Sequence, residues 1–247
     1  MCMKIKLTII LLFFSSIGFS QAQAWWRVQS VDLLSGNVIC WELEDPVGTS
    51  TIADAAGNYT GSVDNDNNNL IFRSSAVMLY GIAVVGQGDG FFNYSIPGDV
   101  STTVSVWLNG KSRNETDYDF VWLRSTDGLA VRWAGVPWAV TVSKVYIRNF
   151  TSYYDTGIFI KQTWTHLVLT RSSTGYKLYV DGVLEFTYAV TLSTLTNGFY
   201  SGGYKWFYEI EDATYDQFSI WNGRELKEID IEYLYNLGNG RVYTSWF

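Results

Sequence analysis

The chain has 247 residues and a formal charge of −7, from 24 Asp and Glu against 17 Lys and Arg. That balance argues against nucleic acid or an anionic membrane as the main partner. Aromatic residues make up 17% of the chain, which suits half-buried pleated sheet, and the length fits one large β domain.

Residues 1–24 read as a secretory signal peptide, with Lys4 and Lys6 as the basic region and Leu7 to Phe14 as the apolar one. That apolar run is too short to span a bilayer. Ala22-Gln23-Ala24 is a small-x-small cleavage site, so residues 25–247 form the mature domain. Cleavage removes Lys4 and Lys6, taking the charge from −7 to −9, and it removes Cys2. Cys40 is then the single cysteine, so the fold has no internal disulfide and rests on its core. No other apolar run is long enough to cross a membrane, and the expected location is secreted, periplasmic or at the cell surface.

Strands are expected at 38–43, 59–63, 70–72, 76–79, 91–96, 102–108, 120–124, 130–133, 144–148, 164–171, 176–180, 183–187 and 215–221. Their close spacing, with Gly, Asn, Asp and Ser between them, indicates an all-β antiparallel sandwich or barrel. The most legible part is Trp164 to Phe186. Leu167 and Leu169 alternate against His166, Val168 and Thr170, and Ser172 to Gly175 supply a turn. Asp181-Gly182 fits a two-residue type I′ turn, in which both residues need φ > 0. One short helix is expected near the end, because Leu226, Ile229, Tyr233 and Leu237 recur on one helical face. Gly238 is placed to close it in the left-handed conformation.

Several segments resemble the laminin-G-like (concanavalin A-like) jelly rolls. The Trp164-x-His166 strand leads into the hairpin LYVDGV, and Val104 to Leu108 reads VSVWL. Asp54, Gly57, Asn58 and Gly61 match an early loop, and Tyr215 to Gly240 matches a closing strand and helix. The resemblance implies a jelly-roll β-sandwich with one short C-terminal helix. It also implies a secreted, non-catalytic module that binds a carbohydrate or a surface protein, with a structural or adhesive (or virion-associated) component as an alternative. A structural Ca2+ is implied too, on Asp54 and Asn58 with Asp216; the competing reading of that loop is a plain turn. Exposed aromatics stack on sugar rings, and Trp138, Tyr153, Tyr154 and Trp206 lie in or near expected loops. Most aromatics of a sandwich are core, so this assignment competes with burial.

Glu228-Ile229-Asp230-Ile231-Glu232 points elsewhere. Family 16 glycoside hydrolases share this fold and carry E-x-D-x-E on one strand, where Glu228 and Glu232 would serve as nucleophile and acid/base with Asp230 between them. In this chain the motif falls on the closing helix, where Ile229 and Tyr233 would pack inward and the acids would meet solvent. Spaced by two on a helix, the three carboxylates no longer share a face. The single histidine, His166, supports no catalytic triad and is expected to be a sheet residue.

Overall fold

A computed structural model describes residue 33 and residues 37–41, 51–58, 60–62, 70–75, 80–86, 92–94, 99–110, 127–133, 142–149, 152–161, 163–192, 199–201, 210–236 and 239–240. In chain order the strands are β1 (Asn37–Trp41), β2 (Thr51–Ile52), β3 (Gly61–Ser62), β4 (Leu70–Ser75), β5 (Tyr80–Gly86), β6 (Phe92–Tyr94), β7 (Thr102–Gly110) and β8 (Asp127–Trp133). They continue with β9 (Val142–Asn149), β10 (Ser152–Lys161), β11 (Thr165–Ser172), β12 (Gly175–Val180), β13 (Val183–Ala189), β14 (Phe199–Ser201) and β15 (Ile210–Asn222), followed by helix α1 (Glu228–Tyr235).

Among the described residues the strands form three antiparallel groups. The largest runs β13-β12-β11-β7-β15-β5-β4, with β1 also paired to β15. A second runs β10-β9-β8, and a third β14-β6-β3-β2. β15 is the spine of the large sheet. Its first half pairs with β5, its second half with β1, and β7 flanks it on the other side. The changeover falls at a bulge between Asp216 and Ser219, where Gln217 takes φ 49. The Gln217 side chain packs under Gly240, where an added Cβ would sit 2.6 Å from its amide oxygen.

The large sheet is buried on both faces at its centre. Val104, Val106, Leu108, Leu167, Leu169, Leu178 and Ile220 line the inner face of the sandwich. The β10-β9-β8 sheet contributes Val145, Ile147 and Ile160 from its own apolar side. Tyr154 of β10 meets Tyr188 of β13 with ring centroids 4.1 Å apart, which joins the two sheets at one margin. The outer face carries Cys40, Val168, Tyr179 and Trp221, and these pack with Leu33, Leu226, Ile231 and Leu234. Helix α1 therefore lies on the outside of the large sheet. An eight-residue helix is marginal alone, and burying Ile231 and Leu234 supplies about 2 kcal/mol each toward holding it. This double burial explains β11, which is buried along seven consecutive residues although its sequence alternates.

The Asp181-Gly182 turn forms as the sequence dictates, with φ 50 and φ 80. Asp181 Oδ1 accepts a hydrogen bond from the His166 N–H, and the Asp181 N–H returns one to the His166 carbonyl. Three expectations need correction. β5 and β10 are strands where none was expected; the strands expected at 76–79 and 120–124 lie outside the described residues. Helix α1 turns Ile231 and Leu234 inward, with Ile229 and Tyr233 only half-buried, because its register is set by Asp230. That side chain is buried, accepts the Lys227 N–H at 3.1 Å and pairs with Arg224 at 3.2 Å. Finally, the left-handed residue that closes the helix is Asn236 (φ 48), a residue that tolerates this conformation, and Gly238 lies outside the described residues.

Candidate functional site

Asp54 holds its own loop together. Its Oδ1 accepts the N–H groups of Cys40 (2.8 Å) and Ala56 (3.0 Å), and its Oδ2 accepts that of Asn58 (2.8 Å). A cation at this carboxylate would compete with those three donors. Asn58 is exposed, whereas Asp216 is fully buried on β15 in register with Trp107. Among the described residues no group of three or more His, Cys, Asp or Glu gathers as a metal site. Glu228 and Glu232 are exposed on α1 while Asp230 is buried against Arg224, so the carboxylate trio of a hydrolase strand does not form. His166 is buried, bonded through Nε2 to Ser105 Oγ at 2.8 Å, and stacked on Trp107 and Tyr235. Burial pushes its pKa down to about 3, so it stays neutral and sealed from solvent.

Of the aromatics expected to contact ligand, Trp138 and Trp206 lie outside the described residues. Tyr154 points inward to Tyr188, whose hydroxyl pKa is raised by the hydrogen bond between them. Tyr153 stands opposite Arg148 in the β9–β10 ladder; the face of this sheet opposite the buried Val145 and Ile147 is its outer face.

That outer face holds a built arrangement. The β9–β10 ladder shifts register between Asp155 and Phe159, where β10 bulges. Thr156 Oγ1 donates to the Val145 carbonyl at 2.6 Å, and the Ile158 N–H donates back to Thr156 Oγ1 at 3.2 Å. The Gly157 N–H donates to Asp155 Oδ1 at 2.8 Å, with Gly157 at φ 73. A bulge of this kind re-aims the side chains that flank it. Here it sets Asp155 and Phe159 on either side of Lys144. Lys144 Nζ bonds and ion-pairs with the Asp155 carboxylate. It also lies 5.4 Å from the Phe159 ring centre and 5.6 Å from that of Tyr146. Phe159 is nevertheless 55% exposed. The hydrogen bond to Asp155 raises the Lys144 pKa, and the bond from Lys144 lowers that of Asp155, so both are charged near neutrality. The result is an open apolar ring beside a fixed donor and a fixed acceptor.

The sequence profile of the concanavalin A-like lectin/glucanase superfamily matches residues 91–232, more than half of the chain. The chain belongs to this superfamily. The matched span covers β6 to most of α1 and so includes the β8–β10 face. No curated protein sequence matches the chain.

Solved structures of the superfamily's fold are similar at low identity. Domain 4 of the extracellular arabinanase AbnA of Geobacillus stearothermophilus, in complex with arabinotriose, is 18% identical with a TM-score of 0.53, covering 72% of this chain and 90% of that domain. The receptor binding domain of botulinum neurotoxin type G is 13% identical with a TM-score of 0.56, covering 83% of this chain. Trypanosoma rangeli sialidase is 16% identical with a TM-score of 0.57, covering 80% of this chain. This chain spans 52% of that toxin domain and 32% of that sialidase, so the likeness concerns the fold alone.

Lys144, Tyr146, Asp155 and Phe159 were not legible as a site in the sequence. The one available signal was Asp155-Thr156-Gly157, which reads as a turn and forms a bulge.

Proposed function

We propose that this superfamily member is a secreted or cell-surface binding module that takes a carbohydrate on the outer face of the β8–β10 sheet, without catalysing a reaction. The observation that carries the reading is Phe159, exposed yet held beside the Lys144–Asp155 pair by the bulge. A sugar ring would lay its C–H face on Phe159 while Lys144 and Asp155 exchange hydrogen bonds with its hydroxyls. The arabinanase domain with its arabinotriose and the toxin receptor binding domain support a binding role on this scaffold. Glycan-array binding of the full chain, compared with Phe159→Ala and Lys144→Ala, tests it. Loss of about tenfold or more in affinity is expected for each variant. Absence of glycan binding, or unchanged binding by Phe159→Ala, sinks the reading and turns attention to a surface-protein ligand.

A structural calcium on Asp54, Asn58 and Asp216 is a separate proposal. Melting with calcium and with a chelator decides it: a higher midpoint with calcium supports the ion, and equal midpoints remove it.

A further inference from the structure

The bulge in β10 sets the spacing of the groups around Phe159. Asp155 and Phe159 are four residues apart in the chain, yet their partners on β9, Tyr146 and Lys144, are two apart. Along the ladder the two therefore stand about 7 Å from each other, the span of one sugar ring, where an unbroken strand would set them about 13 Å apart. Lys144 lies between them. Its side chain is 18% exposed, with Nζ over the Phe159 and Tyr146 rings, whereas the side chain of Asp155 is 53% exposed. Asp155 is thus the open partner of the pair and Lys144 the shielded one.

One carboxylate oxygen of Asp155 accepts the Gly157 N–H and the other accepts from Lys144. A carboxylate has more lone pairs, and an ammonium more N–H donors, than these bonds use, so each partner keeps capacity for a ligand. The pair as a unit is uncharged, and the bond between its members holds both in their ionised forms near neutrality. Such a pair selects in two ways. An anion would be drawn to Lys144 and repelled by Asp155, and a cation the reverse, so neither gains the attraction that would offset its lost hydration. Two hydroxyls on adjacent carbons meet both partners at once, one accepting from Lys144 and the other donating to Asp155, because a hydroxyl can do either. Protein side chains carry their hydroxyls singly; adjacent hydroxyls beside an apolar C–H face are the chemistry of sugars.

Resting on the carbohydrate reading above, we propose that this site takes an uncharged sugar by two adjacent hydroxyls, and that Asp155 is the residue that excludes acidic sugars. Phe159 receives the C–H face of the ring, and the bulge sets the carboxylate at the distance where the edge of that ring carries its hydroxyls.

The experiment measures binding of the full chain and of Asp155→Asn to immobilised arabinan, galactan and mannan, and to polygalacturonate and a sulfated galactan, at about 0.05 and about 0.5 M salt. The full chain should bind a neutral polysaccharide with an affinity that changes less than about twofold between the two salts, because no net charge is neutralised. Asp155→Asn keeps the shape but leaves Lys144 without its anion. It should lose about tenfold in affinity for the neutral ligand and gain about tenfold for the acidic ones at the lower salt. With the unaltered protein, methyl glycosides of the retained sugar that lack either of the two adjacent hydroxyls should bind about tenfold more weakly, and loss of a hydroxyl elsewhere on the ring should change affinity less than about twofold. Preferential, salt-sensitive binding of acidic polysaccharides by the full chain overturns this inference and leaves the carbohydrate reading standing. A neutral sugar whose affinity depends on no adjacent pair of hydroxyls, or unchanged selectivity in Asp155→Asn, does the same. No retention of any polysaccharide removes both. The methyl glycosides need no variant, so the inference stays falsifiable if Asp155→Asn fails to fold.

Discussion

His166 has the most direct thermodynamic consequence of any single residue. An unfolded histidine titrates near 6.5, whereas burial holds this one neutral down to about 3. Above about 6.5 neither state takes up a proton there. As the pH falls from about 6.5 toward 3, the unfolded chain gains a proton that the folded chain refuses. Stability is therefore lost on acidification, at about 1.4 kcal/mol per pH unit where the slope is steepest. Urea denaturation across that range should show this slope, and a His166→Phe/Ser105→Ala variant should show a slope smaller by about that amount. Gly175 is constrained by shape. It lies at φ 136, and a Cβ there would stand 2.0 Å from the Tyr188 carbonyl oxygen. Gly175→Ala should cost about 3 kcal/mol or more, read as a fall in the denaturation midpoint.

At the scale of elements, α1 separates acids that the sequence presents as one set. Asp230 caps the helix and neutralises Arg224 in a buried position, while Glu228 and Glu232 face water. Asp230→Ala should destabilise the fold by about 3 kcal/mol, because it removes a buried carboxylate that both caps α1 and pairs with the Arg224 guanidinium. Glu228→Gln and Glu232→Gln should each change stability by less than about 0.5 kcal/mol. Thermal melts of the three variants check both statements. The same contrast shows how much the sequence carries. The hairpin at Asp181-Gly182 was legible because turn chemistry is local and leaves no alternative to φ > 0. Antiparallel sheet was legible because β7, β11 and β12 keep their alternation, and the family was legible because these strands, the Asp54 loop and the closing segment from Tyr215 carry motifs that resemble it. β10 was missed because the Thr156-Gly157 bulge interrupts its period, and a register shift looks like a turn when its partner strand is unseen. The Lys144–Asp155–Phe159 grouping could not be read for the same reason, since it exists only once β9 and β10 are paired across that bulge.

For the whole molecule, the governing fact is a large sheet covered on both faces. Cys40 lies in the outer layer, 2% exposed, beneath Ile231, Leu234 and Trp221. In a Cys2→Ser chain, thiol labelling of Cys40 should proceed only through large-scale opening and should rise with denaturant in step with unfolding. Rapid labelling in native buffer would show that α1 lifts independently of the sheet. β15 sets a further constraint, one of order in time. It is the common neighbour of β1, β5 and β7, and it comes after all of them in the chain. Until residue 222 has been synthesised, the two halves of the large sheet have no strand between them, and β1 has no edge to join. The domain cannot assemble piecemeal as it is made. Its folding waits for pairings that are distant in sequence, which makes it slow and leaves the earlier strands dependent on whatever keeps them apart meanwhile.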